Sequence, residues 1–215
     1  MHLAWARRWH LLTAVVAVVT IGLQLLLVIR GGQVLDEVEP PGMGLRLMRF
    51  VVYFTVQSNI LVAITATMLT RDPLRDGVWW RCLRLAAIVG ITVTGLVHFV
   101  LLRPLLDLGG ADWAADKLLH MVVPALAVVG WAAFGPRPRV SRRAVAIAFA
   151  WPVAWLAVVL GVGAWTGWYP YPFLDHREEG AGAVVIAAVG VTIVFVALIA
   201  GARRLDRSLP AAPRL

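Results

Sequence analysis

The feature that most constrains this chain is a series of six apolar segments, each about 20 residues long and bordered by charged residues. A helix of that length crosses the ~30 Å hydrocarbon core of a bilayer and keeps its backbone hydrogen bonds internal. Only 15% of the residues are charged, against roughly 25% in soluble domains. We therefore predict an all-α integral membrane protein, a single domain over residues 1–215 with six transmembrane helices. The predicted spans are residues 11–29, 47–69, 84–103, 117–134, 143–165 and 182–202.

The first apolar segment follows Arg7 and Arg8, as a signal peptide would. The apolar region of a signal peptide has roughly 7 to 15 residues and ends in a small-residue cleavage site. This segment is longer and no such site follows it, so we expect it to be the first span. The single cysteine, Cys82, excludes an internal disulfide and every multi-cysteine metal motif.

The basic residues predict the orientation of the spans. Fourteen of the 20 fall at the two termini and in the second and fourth loops, and six fall elsewhere. Because cytoplasmic loops carry an excess of Lys and Arg, we predict a plasma-membrane protein with both termini in the cytoplasm. The net charge of +8 comes from basic residues that lie at the ends of apolar segments and not on one face of a soluble domain. We therefore expect no nucleic-acid partner.

The stretch Tyr53–Asn59 places several polar side chains inside the second apolar segment. Polar groups in hydrocarbon must find partners or lose several kcal/mol each, so a cluster of them indicates a functional site. Thr55, Ser58 and Asn59 are three and four residues apart and share one helix face, whereas Gln57 points elsewhere. The shared face predicts one wall of a polar pocket.

Two histidines lie at a matching depth in other segments. With a rise of ~1.5 Å per residue, Thr55, His98 and His120 lie roughly 9, 8 and 5 Å below the outer charged residue of their helices. Three helices therefore bring polar groups into one layer of the outer leaflet. We predict that the polar pocket lies in this layer.

The loop 168–176, with its Tyr-Pro-Tyr-Pro run, follows the fifth segment on the same side. We predict that it covers the pocket as a lid, with Tyr169, Tyr171 and Asp175 facing the substrate. The alternative is a rigid loop whose aromatic residues lie at the membrane interface.

Asp116 lies four residues before His120. A carboxylate one helical turn before a histidine can accept its ring N–H and fix the tautomer, which leaves the other nitrogen to act as a base. Pro124 removes the amide that would bond the carbonyl of residue 120, so we expect the helix to bend there.

Acyl transfer is the chemistry that this set of residues indicates. A threonine hydroxyl is a weak nucleophile that needs an adjacent base, and we predict Thr55 as nucleophile with His120 as base. Asn59, Ser58 or Gln57 would donate hydrogen bonds to a developing oxyanion. No cofactor and no metal is needed for this chemistry.

Each residue also has a purely structural alternative. Thr and Ser in membrane helices often bond the carbonyl four residues back or link neighbouring helices. A membrane histidine such as His98 often serves as a helix–helix hydrogen-bonding group. Asp116 could simply cap the fourth helix at the interface.

Three motifs together resemble a bacterial family of small six-helix membrane proteins that is distantly related to the vertebrate androgen-induced and androgen-dependent membrane proteins. They are Phe54-Thr55-Val56-Gln57-Ser58-Asn59, Leu118-Leu119-His120-Met121-Val122-Val123-Pro124 and Tyr169-Pro170-Tyr171-Pro172-Phe173. The resemblance covers nearly the whole chain. It implies an intramembrane threonine hydrolase that cleaves fatty acid esters of hydroxy fatty acids, with Thr55 as the nucleophile and His120 as its partner.

Two other classes of function remain open on the sequence. In one, His98 and His120 ligate haem or, with Asp175 or His176, a zinc ion. In the other, the pocket binds the polar head group of a lipid without catalysis, as a lipid-binding or transport protein would. The partners that we expect are the membrane and a lipid or fatty acyl ester.

Overall fold

The computed structural model describes residues 3–31 and 41–211. These residues are almost entirely helical, and no strand occurs among them. The eight α-helices are α1 Leu3–Ile29, α2 Met43–Val52, α3 Phe54–Arg71, α4 Val78–Val97, α5 Gly110–Lys117, α6 Val123–Phe134, α7 Arg142–Thr166 and α8 Ala181–Ser208. The shorter helices are two π-helical turns, His98–Leu102 and Leu118–Val122, and two 3₁₀ turns, Arg103–Leu105 and Pro172–Leu174.

Five of the continuous helical stretches are long and apolar enough to cross a membrane. They comprise α1, α4 with the turns that follow it, α5 with α6, α7, and α8. Helices α2 and α3 pass the same test only together, as a pair bent by 67°, and bring the number of spans to as many as six. The predicted all-helical architecture is confirmed for the described residues, and five to six helices of this length and composition are compatible with a multi-pass membrane protein.

The second predicted span is not one continuous helix, because Tyr53 interrupts it with an extended backbone (φ −57°, ψ 125°). A continuous helix would pair the carbonyls of Val51 and Val52 with amides four residues later. Here the Gln57 Nε2 donates to the Val51 carbonyl at 3.1 Å, and the Trp155 Nε1 donates to the Val52 carbonyl at 2.8 Å. Side chains therefore replace the lost backbone bonds, which stabilises the break.

Helix α4 lies at the centre of the bundle and is the most buried of the long helices. Small residues let its neighbours approach closely, as is common between membrane helices. A Cβ on Gly90 would lie 2.7 Å from the Trp151 ring, and a Cβ on Gly95 would lie 3.0 Å from the His120 carbonyl oxygen. In contrast, the outer faces of α7 and α8 expose large apolar side chains.

One end of the bundle is closed by contacts among the α3–α4 loop, the α6–α7 loop and the end of α8. Asp76 pairs with Arg81 at 2.7 Å and with Arg139 at 3.2 Å. The Asp206 carboxylate accepts the backbone N–H groups of Arg139 and Val140 at 2.7 and 2.8 Å. The start of α3, where the polar stretch lies, is at the opposite end of that helix from this network.

Candidate functional site

The interruption at Tyr53 turns the polar stretch into the start of a helix, since α3 begins at Phe54. The first N–H groups of an α-helix have no partner within it, and they form the positive end of its dipole. The N–H of Thr55 donates instead to the Tyr171 hydroxyl at 3.2 Å. The site is therefore built on a helix N-terminus that the sequence pattern does not predict.

The Thr55 side chain lies between a histidine and a tyrosine. Its Oγ1 is 3.3 Å from the His120 Nε2 and 3.3 Å from the Tyr171 hydroxyl. Thr55 is buried, with 8% of its surface exposed. The two residues that we predicted as nucleophile and base are thus in contact, while their catalytic roles stay predictions.

The other ring nitrogen of His120 faces Asp116. His120 Nδ1 is 3.0 Å from Asp116 Oδ1 and 3.0 Å from the Asp116 backbone oxygen. Two acceptors at Nδ1 favour the tautomer that carries its proton there, which leaves the Nε2 lone pair directed at Thr55. The three residues form a continuous Thr–His–Asp series.

The Asp116 carboxylate also contacts the side chains of His98 and Lys117. His98 Nε2 lies 2.7 Å from its Oδ1, and Lys117 Nζ lies 2.9 Å from its Oδ2. The rings of His98 and His120 are stacked, with centroids 3.9 Å apart and planes 9° apart. His98 therefore supports both the carboxylate and the plane of the His120 ring.

Both histidines lie in π-helical turns: His98 opens one, and His120 is the third residue of the other. Such turns are rare and occur frequently at functional sites. Pro124 sits in the first turn of α6, directly after the second π turn. We expected the helix to bend at Pro124; the structure has a π-helical turn that includes His120 and ends two residues before the proline.

The other polar residues of α3 have different surroundings. Asn59 Nδ2 directs its two protons to the backbone oxygens of Thr55 (2.8 Å) and Leu119 (3.3 Å), which ties α3 to the His120 turn. Ser58 Oγ is buried without a hydrogen-bond partner among the described residues. Gln57 faces away, where its Oε1 accepts from Trp151 Nε1 at 3.2 Å.

Of the predicted lid residues, only Tyr171 reaches Thr55. The Tyr169 hydroxyl is 3.0 Å from His176 Nδ1, and its ring packs on Gly163. Asp175 accepts the backbone N–H of Arg177 at 2.9 Å and shapes the loop. Tyr169 and Asp175 therefore position the segment that carries Tyr171.

His98, Asp116 and His120 are also a possible set of metal ligands, because their donor atoms lie within 4.8 Å of one another. Asp175 and His176 do not belong to this group. An imidazole binds a metal through a lone pair in the plane of its ring, and two stacked, nearly parallel rings have no plane in common. One ring would have to turn before both could bind one ion.

Two cavities meet at Thr55. The first, cavity 1, is lined by the histidines, Asp116 and residues of α1 and α2. The second, cavity 2, lies among α4, α7 and α8. Three residues line both: Thr55, Leu102 and Tyr171. Thr55 thus stands at the junction between two spaces of different chemistry.

Leu102, Lys117 and Trp155 contact or line the site but were not among the predicted site residues, and Tyr171 was predicted as a lid residue rather than as a hydrogen-bond partner of Thr55. One signal was present: Trp151 and Trp155 lie within an apolar span, where an indole N–H needs an acceptor. Both donate to the region around the Tyr53 break.

No protein-family model matches the chain, and searches of curated proteins and of solved structures find no match.

Proposed function

We propose that this protein is an intramembrane hydrolase of fatty acyl esters, with Thr55 as nucleophile and His120 as base. The observation that carries the proposal is the series from Thr55 Oγ1 through His120 to the Asp116 carboxylate. A hydroxyl, an imidazole and an orienting carboxylate in this order are the groups that nucleophilic acyl transfer requires.

The reaction proceeds in two steps. Thr55 Oγ1 attacks the ester carbonyl carbon while its proton passes to His120 Nε2. The tetrahedral intermediate then expels the alcohol, which takes the proton from His120 and leaves the acyl group on Thr55. Water attacks this acyl-enzyme, gives its proton to His120 and releases the fatty acid as Thr55 recovers its proton. His120 acts in turn as base and acid.

The negative charge of the intermediate has donors at hand. The Tyr171 hydroxyl oxygen accepts the Thr55 N–H, so its own proton is available to the Thr55 side of the site. The N-terminus of α3 adds the positive end of a helix dipole. Asn59, in contrast, uses both amide protons on backbone oxygens. These contacts favour Tyr171 as the oxyanion donor.

In this proposal the pocket opens in the outer leaflet of the plasma membrane and both termini are cytoplasmic. The excess of arginine at the termini and in alternate loops supports that orientation. Esters of hydroxy fatty acids are the substrates that the family resemblance implies. The mainly apolar lining of cavity 2, on one side of Thr55, supports a lipid substrate.

The test compares the wild type with Thr55→Ala and His120→Ala, purified in detergent, on a branched fatty ester. We expect both variants to lose at least 99% of kcat, because each removes a member of one catalytic unit. Thr67→Ala is the matched control, since Thr67 lies on the same helix and its hydroxyl donates to the carbonyl of Ala63, away from the site. Equal turnover in all four proteins would refute the proposal.

The metal-ligand set supports a second candidate, a protein with a divalent metal at His98, Asp116 and His120. Elemental analysis of purified protein, with a visible spectrum for haem, distinguishes it. One equivalent of metal that disappears in His98→Ala would favour this candidate. Lipid bound without turnover would instead favour a carrier.

A further inference from the structure

We propose that cavity 2 is the acyl-chain pocket and that cavity 1 holds the alcohol part of the ester. This inference rests on the proposed hydrolase function and adds the direction in which the substrate lies across Thr55. It also assigns residues of α8 to selection of the acyl chain.

His120, which protonates the leaving alcohol, lies on the side of cavity 1. His120, His98 and Asp116 line cavity 1, and none of them lines cavity 2. The group that leaves must receive its proton from His120, so the alcohol oxygen has to point toward cavity 1. The acyl carbon stays bonded to Thr55, and its chain must continue to the other side.

The walls of the two cavities differ in chemistry. Cavity 1 carries charged and polar side chains, including Gln24, Arg46 and Asp112. Cavity 2 is lined mainly by aliphatic and aromatic side chains; its polar side-chain groups are threonine and tyrosine hydroxyls and the indole N–H of Trp155, which already donates to the Val52 carbonyl. A hydrocarbon chain fits such surroundings without leaving a buried polar group unpaired, whereas a polar group finds hydrogen-bond partners in cavity 1. The alcohol part is thus expected to carry polar groups, and the acyl part to be plain hydrocarbon.

Cavity 2 extends along α8. Its wall on α8 runs from Ala188 to Phe195, which at ~1.5 Å per residue is roughly 10 Å along the helix. Pro152 and Val153 of α7 also line this cavity, and Val153 is 50% exposed. Cavity 2 therefore reaches a side chain on the outer surface of the bundle, where an acyl chain could enter from the bilayer.

The experiment measures two substrate series on purified protein. In the first, 4-nitrophenyl esters vary the acyl chain from butanoyl to hexadecanoyl; in the second, octanoate esters vary the alcohol. Ala188→Phe narrows cavity 2, and Leu108→Trp narrows cavity 1. Ala197→Phe is the matched control, because it makes the same change at an exposed position of α8 that lines neither cavity.

For each protein we divide kcat/KM for the hexadecanoyl ester by kcat/KM for the butanoyl ester. We expect Ala188→Phe to lower this acyl ratio at least tenfold, since pocket contacts with single methylenes are worth tenfold or more. Leu108→Trp should leave that ratio as in the wild type and lower the selectivity for long alcohols. Thr192→Trp, on the same wall as Ala188, should repeat the first result. It serves as the second test if Ala188→Phe does not fold.

Two results would overturn the orientation while leaving the hydrolase intact: an unchanged acyl ratio in both α8 variants, or an acyl ratio that falls in Leu108→Trp instead. Both presuppose a wild type whose hydrolysis depends on Thr55. A wild type that cleaves no member of either series would refute the proposed function, and the substrate orientation with it.

Discussion

The change Tyr171→Phe tests the oxyanion assignment most directly, because it removes one hydroxyl and keeps the ring. The Tyr171 hydroxyl lies 3.2 Å from the Thr55 amide nitrogen and 3.3 Å from Thr55 Oγ1. Loss of one donor from an oxyanion site typically costs about 2.7 to 4 kcal/mol of transition-state stabilisation. At 1.36 kcal/mol for each factor of ten, we expect kcat to fall 100- to 1,000-fold.

The same substitution should also lower stability, by a different route. The buried N–H of Thr55 loses its acceptor, and an unpaired buried donor costs about 1 to 3 kcal/mol. Tyr169→Phe is the matched control, since it removes a hydroxyl from the same loop that bonds His176 rather than Thr55. It should lose about 1 kcal/mol of stability and keep kcat near the wild-type value, because the ring still packs on Gly163 and keeps the loop in place.

The assay is steady-state hydrolysis of one fatty ester at saturating concentration, with thermal unfolding measured on the same samples. KM should change little in Tyr171→Phe, because the bound ester carries no oxyanion, which forms only in the tetrahedral intermediate and the transition states on either side of it. A kcat within threefold of the wild type, in a preparation where Thr55→Ala is inactive, would refute the assignment. Equal losses in both tyrosine variants would point to the loop rather than to the hydroxyl.

Two further predictions concern stability. Gly163→Ala should destabilise the protein by about 1 to 3 kcal/mol, because its Cβ would collide with the Tyr169 ring. Gly161→Ala is the control: its Cβ would meet no atom within 4 Å, so Tm should not fall. Equal Tm values for the two variants would contradict this packing. The hydrogen bond from Arg81 lowers the pKa of Asp76 to about 2, below its unfolded value. This pair should therefore stabilise the fold above about pH 4 and lose that effect as the pH falls toward 2. The pair is exposed, so the effect is at most about 1 kcal/mol. Between pH 6 and pH 3 the Tm of Asp76→Asn should fall by less than the Tm of the wild type. An equal fall in both proteins would refute the linkage.

Much of the architecture follows from the apolar segments, because a bilayer restricts a chain to helices of a fixed minimum length. The interruption at Tyr53 does not follow from the sequence alone. The stretch has no proline or glycine to mark it, and the lost backbone bonds are replaced by side chains from α7 and the α7–α8 loop. Such long-range partners are invisible to a periodicity argument.

The proximity of Thr55 to His120 was open to prediction, because both residues lie at one depth on helices of the same bundle. Helical spacing also placed Asp116 beside His120. The stack of His98 on His120 depends on helix rotation, which depth does not fix. The rotation is set by π turns, and the sequence pattern does not indicate them.

The broken span links the fold to the chemistry. A continuous helix would use the Thr55 N–H to bond its own backbone, and the threonine would lie on a helix side with no excess of donors. Because the chain is interrupted at Tyr53, the N–H groups of the first turn of α3 are released inside the protein. Tyr171 then satisfies one of them and lies against the hydroxyl that we propose as the nucleophile. The loop that carries Tyr171 is therefore required both to stabilise the interruption and to complete the site, so changes that displace it should reduce stability and turnover together.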